Sequence, residues 1–469
     1  MNTGLRIFDT KARELKEIVA ANGFEVKIYC CGPTVYRDAH VGNLRTFLLS
    51  DLIKRTLAFS GVASKLVQNI TDVGHMGEDF DGAEIGEDKI IAQSKAEAKD
   101  PFEIARHYEA NFHKDLALLN VIPAELYPRA SETIDLMLEL ITKLIAADFA
   151  YVGSDNCVYF SASTISSYGE ISGNRLDSLK PGHRHKSAED GSKKFHADWA
   201  LWKAAGNRRE MIWDSPWGAG FPGWHIECSA MSLHYLDGGV DLHVGGIDLR
   251  FPHHENERAQ SNALSNSEVV QNWAHGEHLL FEGRKMSKSA GNVVLLTSLI
   301  EKGLDPLALR LSFLENRYRS QMDLTWDSLD ASDATLKRWR LKVSQWGGSG
   351  DLDSKFVSEF LQGSLADIQH DLDTPRAIQK LRKLERDELI SGATKAACFI
   401  EIDKIYGLEL ARPPEVKAEL SPELQELIGK RSQARLAKDF ALSDQLRAEL
   451  NRLGVSVKDT PEGQEWECI

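Results

Sequence analysis

The chain has few cysteines, no excess of positive charge and no long apolar run, and each shortage excludes a class of protein. Six unevenly spaced cysteines in 469 residues make no disulfide framework, which indicates a reducing compartment such as the cytoplasm. The net charge of −14 argues against non-specific nucleic-acid binding, but not against recognition of one RNA by shape. No apolar run is long enough to span a bilayer, and residues 1–10 contain no export signal, so we expect no membrane partner.

The composition that remains is that of a globular protein with several domains. Hydrophobic residues make up 42% of the chain and charged residues 27%, which is ordinary for a folded domain. A chain of 469 residues exceeds the size of a single core, and its length predicts about three domains.

The first informative stretch is a strand–loop–helix–strand unit near the N-terminus. Residues 26–30 and 65–70 have β character, and apolar residues recur between them at helical spacing, so parallel pairing is expected. The loop places His40 and Asn43 at the helix N-terminus, where backbone N–H groups and the helix dipole favour a phosphate. Gly42 lets a flat base approach the backbone. By itself, H-x-G-N fits a polar loop with a helix cap equally well.

A second stretch, F-P-H-H-E-N-E at 251–257, follows a β-like run at 240–244 and a Gly-Gly turn. A strand end that enters a helix is the place where open α/β sheets bind ligands. If a helix begins here, His253 and Glu257 lie four residues apart on one face and form half of a zinc site. The heptapeptide alone is also typical of a surface helix with a polar outer side.

A third stretch, K-M-S-K-S at 285–289, consists of small and basic residues without an apolar period, which predicts a surface loop. Lysines on such a loop can close over a polyphosphate. Beyond residue 304 the pattern is helical with almost no β signal. Residues 423–453 have a strongly helical pattern, and a short β-like piece follows at 455–457.

The order of the motifs is far more specific than any one of them. In succession the chain carries C-G-P-T-V-Y-x-x-A-H-V-G-N-x-R-T-F, N-I-T-D, P-G-W-H-I-E-C-S-A-M, F-P-H-H-E-N-E and K-M-S-K-S. This series resembles the cysteinyl-tRNA synthetase family, and A-K-D-F-A-L-S-D at 437–444 with the late D-T-P and Trp466 is similar to that family's C-terminal module. The resemblance implies a class I synthetase with an α/β Rossmann-type catalytic core and a parallel sheet. An all-α anticodon-binding region and a small C-terminal module are expected to follow.

The resemblance also implies a division of the chain into six segments. The catalytic domain would comprise residues 1–125 and, after a connective insertion at 126–198, residues 199–303 with the zinc site and the K-M-S-K-S loop. Helices that contact the tRNA stem would occupy 304–346, a helical anticodon-binding bundle 347–420, and the C-terminal anticodon-recognition module 421–469.

One zinc ion is implied, held in the family by two cysteines, a histidine and a glutamate. The matching positions here are Cys31, Cys228, His253 and Glu257. Cys30 is adjacent, but the family places the ligand directly before the glycine, and consecutive strand residues face opposite ways. A substrate thiolate could join such a zinc, whereas the hydroxyl of serine is a far poorer ligand. A closed zinc that only stabilises the fold is the alternative.

The remaining family positions concern nucleotide, amino acid and tRNA. The nucleotide motifs match at His40, Gly42, Asn43, Lys285 and Lys288. Asparagine replaces the last histidine of the usual H-I-G-H, and Lys288 would neutralise charge on the departing pyrophosphate. Positions that surround the amino acid match at Thr34, Thr71, Trp224, His243 and Asp248. Trp466 is a candidate for stacking on an anticodon base.

The implied reaction attaches L-cysteine to tRNA(Cys) through a cysteinyl adenylate, with ATP and Mg²⁺, in a cytoplasmic monomer. Three alternatives remain open. A related ligase joins cysteine to an amino sugar, as in mycothiol synthesis. A non-catalytic paralogue that binds tRNA would fit the change at Asn43. A zinc-stabilised structural protein would leave the nucleotide motifs unexplained.

Overall fold

The structure, a computed structural model, describes residues 2–74, 88–179, 192–265, 267–286, 291–414, 421–460 and 463–468. In this part of the chain the strands are β1 (Asn2–Asp9), β2 (Glu14–Val19), β3 (Glu25–Cys30), β4 (Ala63–Gln68), β5 (Ala150–Val152), β6 (Val158–Phe160), β7 (Trp199–Ala204), β8 (Gly220–Pro222), β9 (Leu242–Gly246), β10 (Trp273–Gly276), β11 (Leu279–Phe281), β12 (Arg284–Lys285), β13 (Met322–Leu324), β14 (Val455–Thr460) and β15 (Gly463–Cys468). The α-helices are α1 (Val41–Phe59), α2 (Lys89–Glu97), α3 (Pro101–Leu118), α4 (Ile134–Ala146), α5 (Trp224–Tyr235), α6 (His253–Ala263), α7 (Leu296–Glu301), α8 (Pro306–Leu314), α9 (Trp326–Trp346), α10 (Ser354–Gln369), α11 (Thr374–Arg386), α12 (Gly392–Tyr406), α13 (Pro422–Leu436) and α14 (Phe440–Arg452).

The chain divides into two compact units, residues 1–411 and 412–469. Among the helices of the described ranges, none combines the length and the apolar character that crossing a membrane requires.

Four strands form the central sheet of the first unit, in the order β10, β9, β3, β4. Each of the three pairings is parallel, as the strand–helix–strand order of the sequence predicts. β9 and β10 are buried along their whole length. The predicted α/β core with a parallel sheet is therefore confirmed. Because neighbouring parallel strands end at the same edge, the loops that follow β3 and β9 lie together there.

Helix α1 connects β3 to β4 and begins directly after His40, its N-cap. It ends where Gly61 takes the left-handed conformation, with φ of +73°. The apolar residues that recur at helical spacing are buried, namely Leu44, Phe47, Leu48 and Leu52. The same helix also buries the charged side chains of Arg45, Asp51 and Arg55, each of which needs polar partners in the interior.

An antiparallel sheet in the order β5, β6, β7, β8 lies in the region predicted as an insertion. The rings of Phe160 and Trp199 stack between β6 and β7 with centroids 4.5 Å apart. β7 and β8, which the sequence analysis assigns to the second half of the catalytic domain, belong to this sheet. The sheet therefore includes strands on both sides of residue 199, the expected start of the second catalytic segment. No local sequence pattern specifies the pairing of β6 with β7.

A three-stranded sheet in the order β12, β11, β13 carries the start of the K-M-S-K-S stretch. β11 pairs antiparallel with β12 through the turn at Glu282 and Gly283, and parallel with β13. Apart from β13, the first unit is helical beyond residue 304, as predicted. In this bundle Trp339 of α9 meets Phe399 of α12 edge to face, with ring centroids 5.6 Å apart.

In its described residues the second unit contains two helices and a hairpin. The helical character predicted over 423–453 is confirmed, and it is divided between two helices: α13 ends at Leu436 and α14 begins at Phe440. Lys438 between them takes a positive φ of 60°, and Asp439 caps α14 by accepting from the N–H of Leu442 at 3.1 Å. The β-like piece at 455–457 is part of β14, whose antiparallel partner β15 was not predicted.

Candidate active site and metal centre

The four predicted metal ligands come from three chain segments of the first unit. Cys31 directly follows β3, and its N–H donates to the carbonyl of Val244 at 3.2 Å. Cys228 is the fifth residue of α5. His253 and Glu257 lie one turn apart on α6. Because α5 packs against α6, the side chains of these segments point to one place.

The four donor atoms lie within 4.8 Å of one another, and all four residues are buried. Cys31 Sγ is 3.8 Å from Cys228 Sγ and 3.6 Å from Glu257 Oε1. His253 Nε2 is 3.0 Å from Glu257 Oε1. Two sulfurs, an imidazole nitrogen and a carboxylate oxygen are ligands that zinc accepts. The donor set therefore fits a zinc ion.

Two further imidazoles form a second donor set with Cys31 and the glutamate of the first. His243 Nε2 and His254 Nε2 each lie 3.4 Å from Cys31 Sγ. His254 Nδ1 is 2.8 Å from His275 Nε2, and His275 Nδ1 is 2.8 Å from Thr10 Oγ1. This chain of contacts orients His254. His254 was not among the ligands predicted from the sequence, although it adjoins His253, because helical spacing singles out residues four apart.

The charges of the cluster shift its pKa values in different directions. Burial, and then Cys228, raise the pKa of Cys31 well above its usual value. Burial opposes ionisation of Cys228 too, but its hydrogen bond with Cys31 and the nearby His253 lower its pKa to about 7. Against the effect of burial, Glu257 and Cys228 raise the pKa of His253 to about 10. The thiol of Cys228 is therefore the one prepared to ionise, and a thiolate is the form that binds metal.

Two of the predicted amino-acid contacts lie directly against the cluster. The ring of Trp224 stacks on the ring of His253 with centroids 4.2 Å apart and planes inclined by 24°. The ring of His243 stacks on the ring of Trp273, with centroids 4.6 Å apart. Burial lowers the pKa of His243 to about 4. Its imidazole is therefore neutral at pH 7, which leaves a nitrogen able to accept.

The other predicted amino-acid contacts, Thr34, Thr71 and Asp248, lie in the loops that follow β3, β4 and β9. Thr34 and Thr71 face each other in a short parallel bridge. The N–H of Thr71 donates to the carbonyl of Pro33 at 3.0 Å. Asp248 is exposed and covers Gly246, where an added Cβ would come within 2.4 Å of Asp248 Oδ1. Glycine is therefore required at this turn for Asp248 to keep its position.

The first nucleotide motif forms a reciprocal cap at the start of α1. The N–H of Asn43 donates to His40 Nδ1 at 3.2 Å, and the N–H of His40 donates to Asn43 Oδ1 at 3.3 Å. Asparagine at this position therefore serves as the third helical residue of a capping box. Its amide holds the backbone of His40, while the backbone of Asn43 holds the imidazole of His40.

The cap also determines where His40 carries its proton. Burial, and then Arg37, lower the pKa of His40 to about 4, so the imidazole is neutral at pH 7. Because Nδ1 accepts from Asn43, the proton lies on Nε2. His40 thus offers an N–H donor at a helix N-terminus, where anions bind favourably.

Both sides of the K-M-S-K-S stretch touch the start of α1. The N–H of Val41 donates to the carbonyl of Val294 at 3.0 Å. An added Cβ on Gly42 would come within 2.9 Å of Met286 Cε, so glycine leaves the space that this methionine fills. Lys285 is exposed at the end of β12, and Lys288 lies outside the described residues.

Two residues of α6 that lie between the predicted metal ligands His253 and Glu257 bind the segment 168–172. Glu255 Oε2 accepts from the N–H groups of Ile171 and Ser172 at 3.1 and 2.9 Å. The hydroxyl of Tyr168 donates to Asn256 Oδ1 at 2.6 Å. The motif F-P-H-H-E-N-E therefore anchors this segment in addition to supplying two predicted metal ligands, and the sequence pattern indicated only the ligands.

In the second unit, Trp466 lies on β15 opposite Val457. Its ring is partly buried and packs against the small core of Leu450, Val455 and Val457. Phe440 at the start of α14 is more open, with 59% of its surface exposed.

Two families of known proteins match the chain. The family described as tRNA synthetases class I (C) catalytic domain matches residues 17–334, and the Cysteinyl-tRNA ligase anticodon binding domain matches residues 417–466. The curated relatives include a cysteine–tRNA ligase of Thermus thermophilus, 40% identical over 99% of both chains. Cysteine–tRNA ligase 1 of Burkholderia lata is also 40% identical, over 98% of this chain and 96% of the relative.

A solved structure agrees with the fold. The methionyl-tRNA synthetase of Mycobacterium tuberculosis, in complex with methionyl-adenylate, superposes with a TM-score of 0.55 and 14% identity. The match covers 90% of this chain and 96% of that one, and at this identity it speaks for the fold alone. The two family matches and the full-length relatives together establish that the chain belongs to the cysteine–tRNA ligase family of class I aminoacyl-tRNA synthetases.

Proposed function

We propose that this protein attaches L-cysteine to tRNA(Cys) in two steps, through a cysteinyl adenylate, with ATP and Mg²⁺ as co-substrates. The observation that carries the proposal is the convergence of Cys31, Cys228, His253 and Glu257 within 4.8 Å. Such a set of thiols, imidazole and carboxylate beside a nucleotide motif suits an enzyme that must recognise a thiol.

Cys31, Cys228, His253 and Glu257 would hold a zinc ion, which when bound supplies a Lewis acid that accepts the substrate sulfur as a thiolate and discriminates against a hydroxyl. The surrounding chain fixes the orientation of these ligands. Trp224 covers one face of His253, and His225 Nδ1 lies 3.0 Å from His253 Nδ1 on the side away from Glu257. Thr34, Thr71, His243 and Asp248 are the candidates for orienting the ammonium and carboxylate groups of cysteine.

In the activation step, the carboxylate of cysteine attacks the α-phosphorus of ATP, and pyrophosphate leaves. His40 would donate its Nε2–H to the polyphosphate, and the N-terminus of α1 would add its backbone dipoles. Gly42, which has no side chain, would let the adenosine approach the backbone. Lys285 and Lys288 would neutralise the charge that develops on the leaving pyrophosphate. Asn43 contributes indirectly, by holding the imidazole of His40 in place.

In the transfer step, a ribose hydroxyl of the terminal adenosine of the tRNA attacks the activated carbonyl, the acyl–phosphate bond breaks, and AMP leaves. Holding the two reactants in position would supply most of the rate enhancement. Residues 347–420 and 421–469 would bind the anticodon arm, and residues 304–346 the stem. Trp466 and the more exposed Phe440 are the aromatic candidates for stacking on anticodon bases. We expect the enzyme to act as a monomer in the cytoplasm, and its thiol ligands suit a reducing compartment.

The proposal is tested by cysteine-dependent ATP–pyrophosphate exchange, with serine as the matched competitor, and by charging of bulk tRNA with labelled amino acids. We expect exchange with cysteine and charging of a single tRNA with cysteine. Serine should be disfavoured by at least about 1,000-fold, because its hydroxyl is a far poorer ligand for zinc than a thiolate and would leave the polar groups of the site without their partner.

Three outcomes would contradict the proposal in different ways. Comparable exchange with serine would remove the role of the metal in selection. Tight tRNA binding without charging would favour the non-catalytic paralogue. Consumption of ATP and cysteine with an amino sugar, but not with tRNA, would favour the ligase of small molecules.

A further inference from the structure

The guanidinium of Arg45 spreads its donors over four main-chain carbonyls. The side chain lies on α1 and is 5% exposed. Nη1 donates to the carbonyls of Glu277 at 2.8 Å and His278 at 3.2 Å. Nη2 donates to the carbonyls of Arg317 and Ser320, both at 2.9 Å. Burial lowers the pKa of Arg45 to about 10, which still leaves it charged at pH 7.

These carbonyls belong to two segments at the base of the sheet that carries the K-M-S-K-S stretch. Residues 277–278 immediately precede β11, which turns into β12 and so leads to Lys285. Residues 317–320 precede β13, which pairs with β11. The N–H of Glu277 also donates to the carbonyl of Tyr318 at 2.9 Å. One guanidinium therefore holds the origins of two paired strands.

The same helix carries the first nucleotide motif, because His40 caps α1 five residues before Arg45. A second tie joins the other end of the K-M-S-K-S stretch to α1, through the hydrogen bond from Val41 to Val294. The segments before and after the stretch are thus both hydrogen-bonded to α1. Loss of either set of hydrogen bonds would let Lys285 move relative to His40.

We propose that Arg45 is a positioning residue for amino-acid activation, which sets the separation of His40 and Lys285 by holding the bases of β11 and β13 against α1. The inference rests on the proposed function, since it takes the nucleotide to bind between these two residues. Arginine suits the task because its planar fork presents donors on two nitrogens at once. Lysine has a single ammonium and cannot reach four carbonyls in this geometry.

The test compares Arg45→Lys and Arg45→Met with a matched control, Arg340→Lys. Arg340 lies on α9, is 4% exposed, and donates to the carbonyls of Leu408 at 2.7 Å and Glu409 at 3.1 Å and to Asp305 Oδ2 at 2.5 Å. Within the described part of the chain, none of these hydrogen bonds reaches a nucleotide motif. For each purified full-length variant we would measure Tm, zinc content, hydrogen–deuterium exchange of residues 277–286, and cysteine-dependent ATP–pyrophosphate exchange below every Tm.

In Arg45→Lys we expect kcat for exchange to fall by about 10- to 100-fold, because a displacement of about 1 Å at reacting groups has effects of this size. Arg45→Met should fall further. The KM for cysteine and the zinc content should stay within about twofold of the wild type, because the metal centre lies on other segments. Residues 277–286 should lose protection. Arg340→Lys should lower Tm while kcat is retained.

Several results would overturn the inference. An unchanged kcat per folded molecule in both Arg45 variants would do so, as would an equal fall of kcat in Arg340→Lys. Failure of both Arg45 variants to fold, while Arg340→Lys folds, would assign Arg45 to the fold alone. If the wild type itself shows no exchange, the proposed function fails separately. The contact of Arg45 with the two strands is then tested by deuterium uptake, and unchanged protection of residues 277–286 in the Arg45 variants would overturn the inference.

Discussion

The predicted metal centre and the C-terminal module both bury charged or ionisable groups, but these groups have different partners in the two regions. In the centre, Cys31 meets Cys228 across 197 residues of sequence, and the donor atoms face one another. In the module, Arg431 meets Asp459 across 28 residues. Its guanidinium is fully buried and donates to both carboxylate oxygens, at 2.9 and 2.8 Å.

The difference is between a set of ligand atoms that suits a metal ion and an ion pair formed within the chain. Two sulfurs, an imidazole nitrogen and a carboxylate oxygen within 4.8 Å of one another are ligands that zinc accepts, whereas a bidentate guanidinium–carboxylate pair compensates its own charges. The centre is therefore expected to depend on a metal, and the module on its ion pair. We expect substitutions to separate the two regions, with the largest effect in the predicted metal centre.

The largest effect is expected for Cys228→Ala. The variant should lose most of its bound zinc, and cysteine-dependent exchange should fall by more than about 100-fold, since even changes behind the ligands cost about 10- to 100-fold. Zinc content by mass spectrometry and ATP–pyrophosphate exchange check this. Cys228 belongs to only one of the two overlapping donor sets, so the result also decides between them.

The matched control is Cys30→Ala, which removes the neighbouring thiol. Cys30 is fully buried but outside both donor sets, and burial raises the pKa of its thiol to about 12. This variant should keep its zinc and lose only about 1–2 kcal/mol of stability. Full zinc in Cys228→Ala, together with loss in His254→Asn, would assign the ion to the set of Cys31, His243, His254 and Glu257.

An intermediate effect is expected for Arg431→Leu in the module. Loss of the guanidinium removes one of the two arginines paired with Asp459 and leaves Arg435 at 2.9 Å; it should destabilise residues 421–468 by about 1–3 kcal/mol. Charging of tRNA should fall, while cysteine-dependent exchange should stay within about twofold, because activation uses the other unit. Exchange that falls in parallel with charging would show that the module is not independent of the metal centre.

The same pair gives the module a pH dependence. The hydrogen bond from Arg431 lowers the pKa of Asp459 in the folded state. The stabilisation is therefore complete above the unfolded value of about 3.9 and disappears as the pH falls through the folded value. Acid titration of the wild type should reveal this loss in the module, and Arg431→Leu should reduce it, because Arg435 still lowers the pKa of Asp459.

The smallest effect compares two capping boxes. Asn43→Ala removes the acceptor for the N–H of His40 and should cost about 1 kcal/mol of stability. Because it also frees the backbone of His40, exchange should fall several-fold. In α9, Ser328 makes the equivalent reciprocal bonds with Thr325, at 3.0 and 3.1 Å. Ser328→Ala should cost similar stability without loss of exchange, and equal exchange in the two variants would contradict the assigned role of Asn43.

The elements predicted best from the sequence were those specified over short distances. The cap at His40, the spacing of His253 and Glu257 on α6, and the parallel pairing of β3 with β4 all follow from neighbouring residues. The choice of Cys31 over Cys30 is still a prediction about the metal, but alternation along a strand already separates the two side chains.

The elements missed were those that depend on distant segments or on backbone conformation. The break at Lys438 needs a positive φ, which a lysine in a helical pattern does not announce. The pairing of β6 with β7 crosses the expected domain boundary. His254 and Arg45 lie inside recognised motifs, yet their partners at His275, Glu277 and Ser320 come from later parts of the chain.

The sequence by itself determined the helix start at His40 and the spacing of His253 and Glu257 on one helical face, because periodicity and caps act within a few residues. Cys31 and Cys228 were assigned as ligands by the resemblance to the family, which rests on the order of motifs along the chain. Only the tertiary structure decided which imidazoles face Cys31 and that Arg45 joins three segments. Such contacts arise from packing between residues far apart in sequence, where no local pattern records the distance.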